Sequence, residues 1–435
     1  MDDSNATHLV VHTVPLSSAP PLTEVLDRHT PLVWRRRGAG IVGYGDVRRL
    51  SFSGPTRIAD AARAWRDISS RASVWNSVGV TGTGLVAFGT FAFADDSSTT
   101  STLIIPRAIV GRRDGTTWLT LIRESNEPES ALESTPDTSA HAEAIAADVM
   151  RVDPLRAHPH VAFSPGAQSP DGYRQAVAAA IARIAAGEAS KVVLARDLVG
   201  ALPAGSDLRP LVIDLAQGYP DCWTFSIDGL IGASPETLVA VAATTVDARV
   251  LAGTAARGKD PHGDLDAAAA LATSTKDLDE HAFAVRSVID SLSPLTGSLR
   301  AGEPYTLKLP NVWHIATDVS GTLGNGASSL DLVDALHPTA AVAGTPTSAA
   351  LDIISELEPF DRGRYAGAVG WVGANGDGEW AVALRCMQVE TLPDGSQRVT
   401  AHAGAGVVAD SHPDSELVET TMKFRPIVDA LTAVD

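Results

Sequence analysis

The sequence predicts an α+β fold built on a largely antiparallel sheet, with two lobes of sheet flanked by helices around one site. Three observations carry that expectation. Residues 1 to about 120 are rich in short apolar, β-branched runs broken by turn formers. Further along, strands are separated in some places by helices and in others by tight turns, which regular βαβ winding does not produce. With 44% hydrophobic and 20% charged residues over 435 positions, the chain can bury a sizeable core. No apolar run reaches the length needed to cross a bilayer.

Gly84 to Phe93 and Ser101 to Pro106 read as strands. Between roughly 124 and 142 the chain is polar and full of turn formers, an exposed connector. A helix then starts at Ser169 with Pro170 in its first turn, buries Tyr173, Val177, Ile181 and Ile184, and stops at Gly187. Lys191 to Asp197 and Gly229 to Ser234 are strands by their β-branched and apolar content. A long amphipathic helix is expected over about 261 to 293, with Leu278, Ala282, Val285, Ile289 and Leu292 as its apolar stripe. Helices over about 328 to 336 and 346 to 357 and strands over 367 to 373 and 380 to 389 follow.

The chemistry concentrates near the end. From His402 to Val407 a glycine-rich turn feeds a helix on which, at roughly 100° per residue, Glu416, Glu419 and Lys423 share one sector. Leu417, Thr421, Phe424, Val428 and Leu431 gather on another, which would dock the helix and leave the acidic face along a cleft. Paired carboxylates beside an NH-rich turn suit Mg²⁺ and an anionic substrate. An ordinary solvated face with i,i+4 pairing is the plain alternative.

Other candidates stand apart from their surroundings. Lys191 opens an apolar strand, where a lysine either snorkels to solvent or is held inside for a reason. Glu236 follows Ser234-Pro235 on a sharp turn, where it could equally be a cap. Glu280 lies on the polar side of the long helix, where a solvated carboxylate is the default. His314 and Arg385 interrupt apolar strands, and an inward arginine needs a carboxylate.

Net charge narrows the partners. At −18 the chain would repel nucleic acid and anionic membranes, so a small anion would need a metal ion or placed cations to bind. Cys222 and Cys386 lack CxxC spacing and read as buried hydrophobes. The acidic start, Met-Asp-Asp-Ser-Asn, is unlike a secretory signal, so a cytoplasmic protein is expected. P-loop, GxSxG and HExxH signatures are missing, and the GxGxxA match from Gly404 to Ala409 lacks a βαβ unit around it.

The blocks KVVLARD, GASPETL, LAGTAARG, KDLDEHAFAV, WHIATDVSGTL, LHPTAAVAGTP, ELEPFDRGRYAGAVGW, GEWAVALRC and AGAGVVADSHPDSELVETTMK, in that order, resemble the chorismate-utilising enzymes. That family includes isochorismate, salicylate, anthranilate and aminodeoxychorismate synthases. The resemblance covers about residues 160 to 432 and implies one fold, with residues 1–150 a variable strand-rich part and 151–435 the chorismate-binding catalytic region, together one continuous structural domain. It implies Mg²⁺ held by Glu280 and Glu419, with Glu416 acting through water. Arg385, the NH groups around Gly404 and Gly406, and Lys423 would bind carboxylates. Thr254 would lie near the same pocket, His314 would line the ring pocket, and Tyr365 would sit near the enolpyruvyl side chain. Lys191 resembles the general base for water attack at C2, and Glu236 the general acid for loss of the C4 hydroxyl.

Members that use ammonia resemble one another in carrying glutamine where Lys191 stands, and lyase members tend to carry threonine where Ala341 stands. Both differences favour an isomerase, isochorismate synthase, with salicylate synthase as the alternative. A non-catalytic chorismate-binding subunit or an amidotransferase partner would have less use for an acid and base pair. The resemblance further implies a monomer without a glutaminase subunit, and leaves open whether isochorismate feeds menaquinone or a siderophore.

Overall fold

A computed structural model of the chain describes residues 8–126, 147, 149–258, 260–308, 312–324 and 326–431. The α+β expectation holds. The strands form one continuous network of pairing, antiparallel except where His8–Pro15 meets Ser73–Asn76. Ala39–Phe52 and Ser101–Arg113 pair along their lengths, with a bulge between Asp46 and Arg48. From this long pair the sheet divides into two arms.

One arm continues from Ala39–Phe52 through Leu32–Arg36, Trp223–Ile227, Leu230–Ser234, Cys386–Thr391 and Gln397–Val407 to Lys191–Leu202. The other continues from Ser101–Arg113 through Val86–Thr90, Ala368–Gly373, Gly378–Val382, Thr237–Ala242 and Thr245–Ala256 to Val312–Leu323. One apolar cluster draws on both arms: Trp34, Phe225 and Leu194 come from the first, and Val239, Trp371 and Trp380 from the second. Inside it the indoles of Trp34 and Trp371 both donate to Glu379 Oε2 at 3.0 Å, and Arg113 donates to Oε1 at 2.8 Å. A buried carboxylate is thereby satisfied by groups from both arms. A second cluster lies where Ala401 and Ala403 meet Leu211, Leu215, Phe424 and Ile427 of two helices.

The chain passes between the arms at two places that matter for function. Leu230–Ser234 of the first arm leads through Pro235 and Glu236 into Thr237–Ala242 of the second. Gly378–Val382 of the second leads through Ala383 to Arg385 into Cys386–Thr391 of the first. The two crossovers bond to each other. Ala233 N donates to Arg385 O at 3.2 Å, Val382 N to Glu236 O at 3.1 Å, and Ser234 Oγ to Val382 O at 2.6 Å.

Three sequence expectations need correction. The helix expected over 261 to 293 is two helices, Pro261–Thr273 and Thr275–Leu292. Ser274 between them is extended and its side chain accepts from Asp277 N, so a cap divides the expected helix and the whole stripe from Leu278 to Leu292 falls in the second part. The strand expected over 380 to 389 is broken at Ala383 to Arg385 by the second crossover. Gly404 and Gly406 lie in a strand, not a turn. No described helix is long and apolar enough to cross a membrane.

Glu358 and Arg362 clamp the strand of Lys191. Their side chains are each 2% exposed and pair bidentately, at 2.6 and 2.8 Å. Glu358 accepts from Ala195 N at 2.7 Å, while Arg362 donates to Val193 O at 2.7 Å and Val342 O at 2.9 Å. Removing one partner of such a pair strands a buried charge. Arg362→Met is therefore expected to destabilise the protein by about 3–5 kcal/mol in urea unfolding, and Glu358→Met/Arg362→Met by less. A double variant as unstable as the single would show that the strand contacts, not the charge, dominate.

Candidate active site

The crossovers, the start of the Lys191 strand and the C-terminal helix enclose a cavity of about 310 Å³. Lys191, Glu236, Glu280, His314, Ala341, Tyr365, Arg385, Gly404, Gly406, Glu416, Glu419 and Lys423 all line it. Thr254 has its backbone opposite His314 in the adjoining strand pair, and its side chain lies outside the described ones. Residues from Lys191 to Lys423 thus converge because both arms end at one place.

Glu236 sits on the first crossover, its N–H donating to Ser234 Oγ at 3.2 Å. Burial pushes its carboxyl up to about 7, against the opposing pull of Lys191, Arg385 and Lys423. Lys191 pairs with Glu280 Oε1 at 2.7 Å. A Cβ at Gly406 would stand 3.0 Å from Lys191 Cε, so this glycine leaves the lysine stem its space. A Cβ at Gly404 would likewise stand 3.2 Å from the Tyr365 hydroxyl. Tyr365 is buried, stacks on His402 at 5.3 Å, and has its phenol pushed up by burial.

Arg385 occupies the second crossover with φ 51°, a conformation that costs free energy in a non-glycine residue and is held here by the bond from Ala233 to its carbonyl. Burial lowers the pKa of its guanidinium, yet that group has no hydrogen bond or ion pair with a described residue. A desolvated cation without a partner is the arrangement an anionic ligand completes. His314 is driven to about 4 by burial, with Lys423 and Arg385 adding, so the ring is neutral near pH 7.

The C-terminal helix, Pro413–Leu431, departs from the expected docking face. Glu416, Thr420, Phe424, Pro426, Ile427, Ala430 and Leu431 are its buried residues, while Thr421 is exposed and Leu417 only partly buried. The acidic sector points inward because it borders an internal cavity. Glu416 is 9% exposed, and its carboxyl is raised by burial and by Glu419, against a hydrogen bond from Ser411. Lys423 bonds Glu419 Oε1 at 2.6 Å and Gly404 O at 2.8 Å, and its pKa is lowered chiefly by burial.

Among the described residues no three His, Cys, Asp or Glu side chains converge closely enough to form a preformed metal cage. The donor chemistry nevertheless fits a hard divalent cation: Glu280, Glu416 and Glu419 offer only carboxylate oxygens to one cavity, and two of them are turned to lysines. Sequence reasoning passed over Asp277 and Ser411, which line the same cavity. Asp277 stands three residues before Glu280 on one helix, a spacing that places both on one face and could have marked it.

The model of a family described as chorismate binding enzyme matches residues 5–432. Over 275 residues the chain is 40% identical to isochorismate synthase DhbC of Bacillus subtilis, an overlap of 60% of this chain and 68% of that protein. It is 43% identical over 258 residues to the putative isochorismate synthase MenF of Mycobacterium tuberculosis, covering 56% and 68%. The crystal structure of a putative 2,3-dihydroxybenzoate-specific isochorismate synthase from Bacillus anthracis is similar with a TM-score of 0.72 at 29% identity, covering 94% of this chain and 98% of that one.

Glu236 links stability to pH. Because its folded pKa is raised from 4.5 to about 7, the native state holds a proton that the unfolded chain has released, and stability is lost as pH rises through that window. Glu236→Gln should therefore raise the unfolding free energy at pH 8 by up to roughly 3 kcal/mol and leave it unchanged below pH about 4.5. An equal effect at both pH values would place the carboxyl in an ordinary environment.

Proposed function

The chain belongs to the chorismate-binding enzymes, and from that premise we propose that it interconverts chorismate and isochorismate. The observation that carries this reading is the buried guanidinium of Arg385, without a partner among the described residues, in a cavity that also holds Lys191 and a raised-pKa Glu236. Chorismate is a dianion. Arg385, the backbone NH groups around Gly404 and Gly406, and Lys423 would bind its carboxylates, which supplies the local positive field that a chain of charge −18 otherwise lacks.

In the forward direction the Lys191 amine takes a proton from water as its oxygen bonds to C2 of the ring. Glu236 gives its proton to the C4 hydroxyl, which departs as water while the ring double bonds shift. Reversal uses the same groups with their proton states exchanged. A protonated carboxyl and a free amine must coexist near neutral pH, and the raised pKa of Glu236 supports the first of these. His314, neutral at that pH, Tyr365 and Ala341 would line the ring and side-chain pockets, with Thr254 beside them.

Glu280 and Glu419, with Glu416 through a water, would hold Mg²⁺. When bound, the ion would supply the positive charge that fixes a substrate carboxylate and would draw Glu280 and Glu419 away from the two lysines. Lys191 at the nucleophile position supports water over ammonia and so a synthase working without a glutaminase. The small Ala341 supports release of isochorismate with its enolpyruvyl group intact. We infer further that residues 1–150 and 151–435 act as one structural unit, since strands before residue 126 pair with strands of both arms.

Incubation of the purified protein with chorismate, followed by chromatography, tests the reading. Isochorismate should appear with Mg²⁺, settle to an equilibrium ratio, and cease to form with excess EDTA; salicylate with pyruvate would instead move the protein to the lyase reaction. Glu236→Gln should still bind chorismate in calorimetry but lose about 10²–10⁴-fold in turnover. Near-normal turnover in that variant would remove Glu236 from the acid role. The forward rate should also fall as pH rises above about 7, where Glu236 loses its proton, and a rate still climbing at pH 8 would contradict this.

A further inference from the structure

The helix Pro413–Leu431 presents Glu416, Glu419 and Lys423 to the active-site cavity, yet its own bonding does not hold it throughout. Pro426 lies inside the helix, and a proline has no N–H to give the carbonyl of Met422 one turn earlier. The ladder is therefore interrupted just beyond Glu419 and Lys423. A contact from outside the helix is needed to fix the rotation and axial position of that turn.

Arg196 makes that contact. It lies on the strand Lys191–Leu202, opposite Ala403, and is 5% exposed. Its Nε donates to Thr420 Oγ1 at 2.7 Å and its Nη2 to Thr421 Oγ1 at 2.8 Å, while the guanidinium stands 4.8 Å from the centre of the Phe424 ring. The two hydroxyls in turn donate to Leu417 O at 2.8 and 2.9 Å. Each thus gives its single proton to the helix and accepts from the arginine. The strand on the other side of the contact is itself held, because Glu358 accepts from Ala195 N at 2.7 Å. Lys191 begins that strand, so one side chain joins the element of the lysine to the turn of Glu419.

Stability alone does not call for an arginine here. Among the described residues no carboxylate pairs with Arg196, and burial lowers its pKa against the pull of Tyr173 and Asp197. A methionine of similar reach would pack on Phe424 without desolvating a charge. Its loss would strand no donor on the helix either, since both hydroxyls keep Leu417 O. What the guanidinium adds is direction, because two N–H groups of one rigid fork fix both the rotation and the height of the turn they reach.

We propose that Arg196 is a positioning residue for the metal-binding face, holding the turn of Glu419 so that its carboxylate and that of Glu416 stand at a set distance from Lys191. The proposal rests on the assignment of Mg²⁺ to those carboxylates. Its test is calorimetric titration of Mg²⁺ into the full chain carrying Glu236→Gln and saturated with chorismate, with and without Arg196→Met. Arg196→Met should weaken Mg²⁺ binding about tenfold or more, while the urea unfolding midpoint stays near that of the parent. Thr421→Val removes one prong at an exposed position and should weaken Mg²⁺ binding about threefold; it also serves should Arg196→Met fail to fold. Added to Arg196→Met it should have no further effect, because the two residues act through one contact. An independent, additive loss overturns the proposal. Unchanged Mg²⁺ affinity in Arg196→Met, with or without a fall in stability, also overturns it and leaves the proposed function standing. Absence of Mg²⁺ binding in the parent overturns both the proposal and the metal assignment.

Discussion

The site depends on two strand crossovers that hold each other. Glu236 and Arg385 stand where the chain leaves one sheet arm for the other, and the bonds from Ala233 to Arg385 O and from Val382 to Glu236 O tie the two turns together. A residue at such a crossover has strands running away from it on both sides, so its position is fixed by two sheets at once. The left-handed backbone of Arg385 is tolerable in that setting. Glu236 and Arg385 are thereby placed by the backbone of the two crossovers.

Burial then sets the chemistry. The same low-dielectric surroundings keep Glu236 protonated to about pH 7, hold His314 neutral and weaken the preference of Lys423 and Arg385 for their charged forms. Each group would be more stable in water, and the large apolar cluster shared by the arms sustains their burial. Lys191 and Lys423 each take a carboxylate partner, whereas Arg385 has none among the described residues.

Much of this was legible from residue order. Ser169, Pro170 and Gly187 marked a helix that begins and ends where they place it, because caps and turns are local chemistry. Lys191, Glu236 and Arg385 were conspicuous as polar residues beside apolar strands, and they line one cavity. What escaped notice depends on partners distant in sequence. Ala383 and Leu384 are apolar and read as continuing strand, although the chain changes sheets there. Glu416 was expected along a cleft, but its burial was not legible, because helical angles report which residues share a face and not how deeply that face is enclosed. Ser274 divides what was read as one helix, at a cap that accepts from Asp277 N just before the stripe starting at Leu278. The Glu358–Arg362 clamp and the sharing of Glu379 by Trp34 and Trp371 join residues whose proximity no local pattern encodes.

The most direct measurement is a crystal structure of Glu236→Gln grown with chorismate and Mg²⁺, since that variant should bind without turning over. A chorismate carboxylate on the Arg385 guanidinium, with the metal on Glu280 and Glu419 and the Lys191 amine facing C2 across the ring from residue 236, is the result expected here. Chorismate bound elsewhere, or with Arg385 still unpartnered and the metal on other residues, would contradict the assignment of this cavity as the catalytic site.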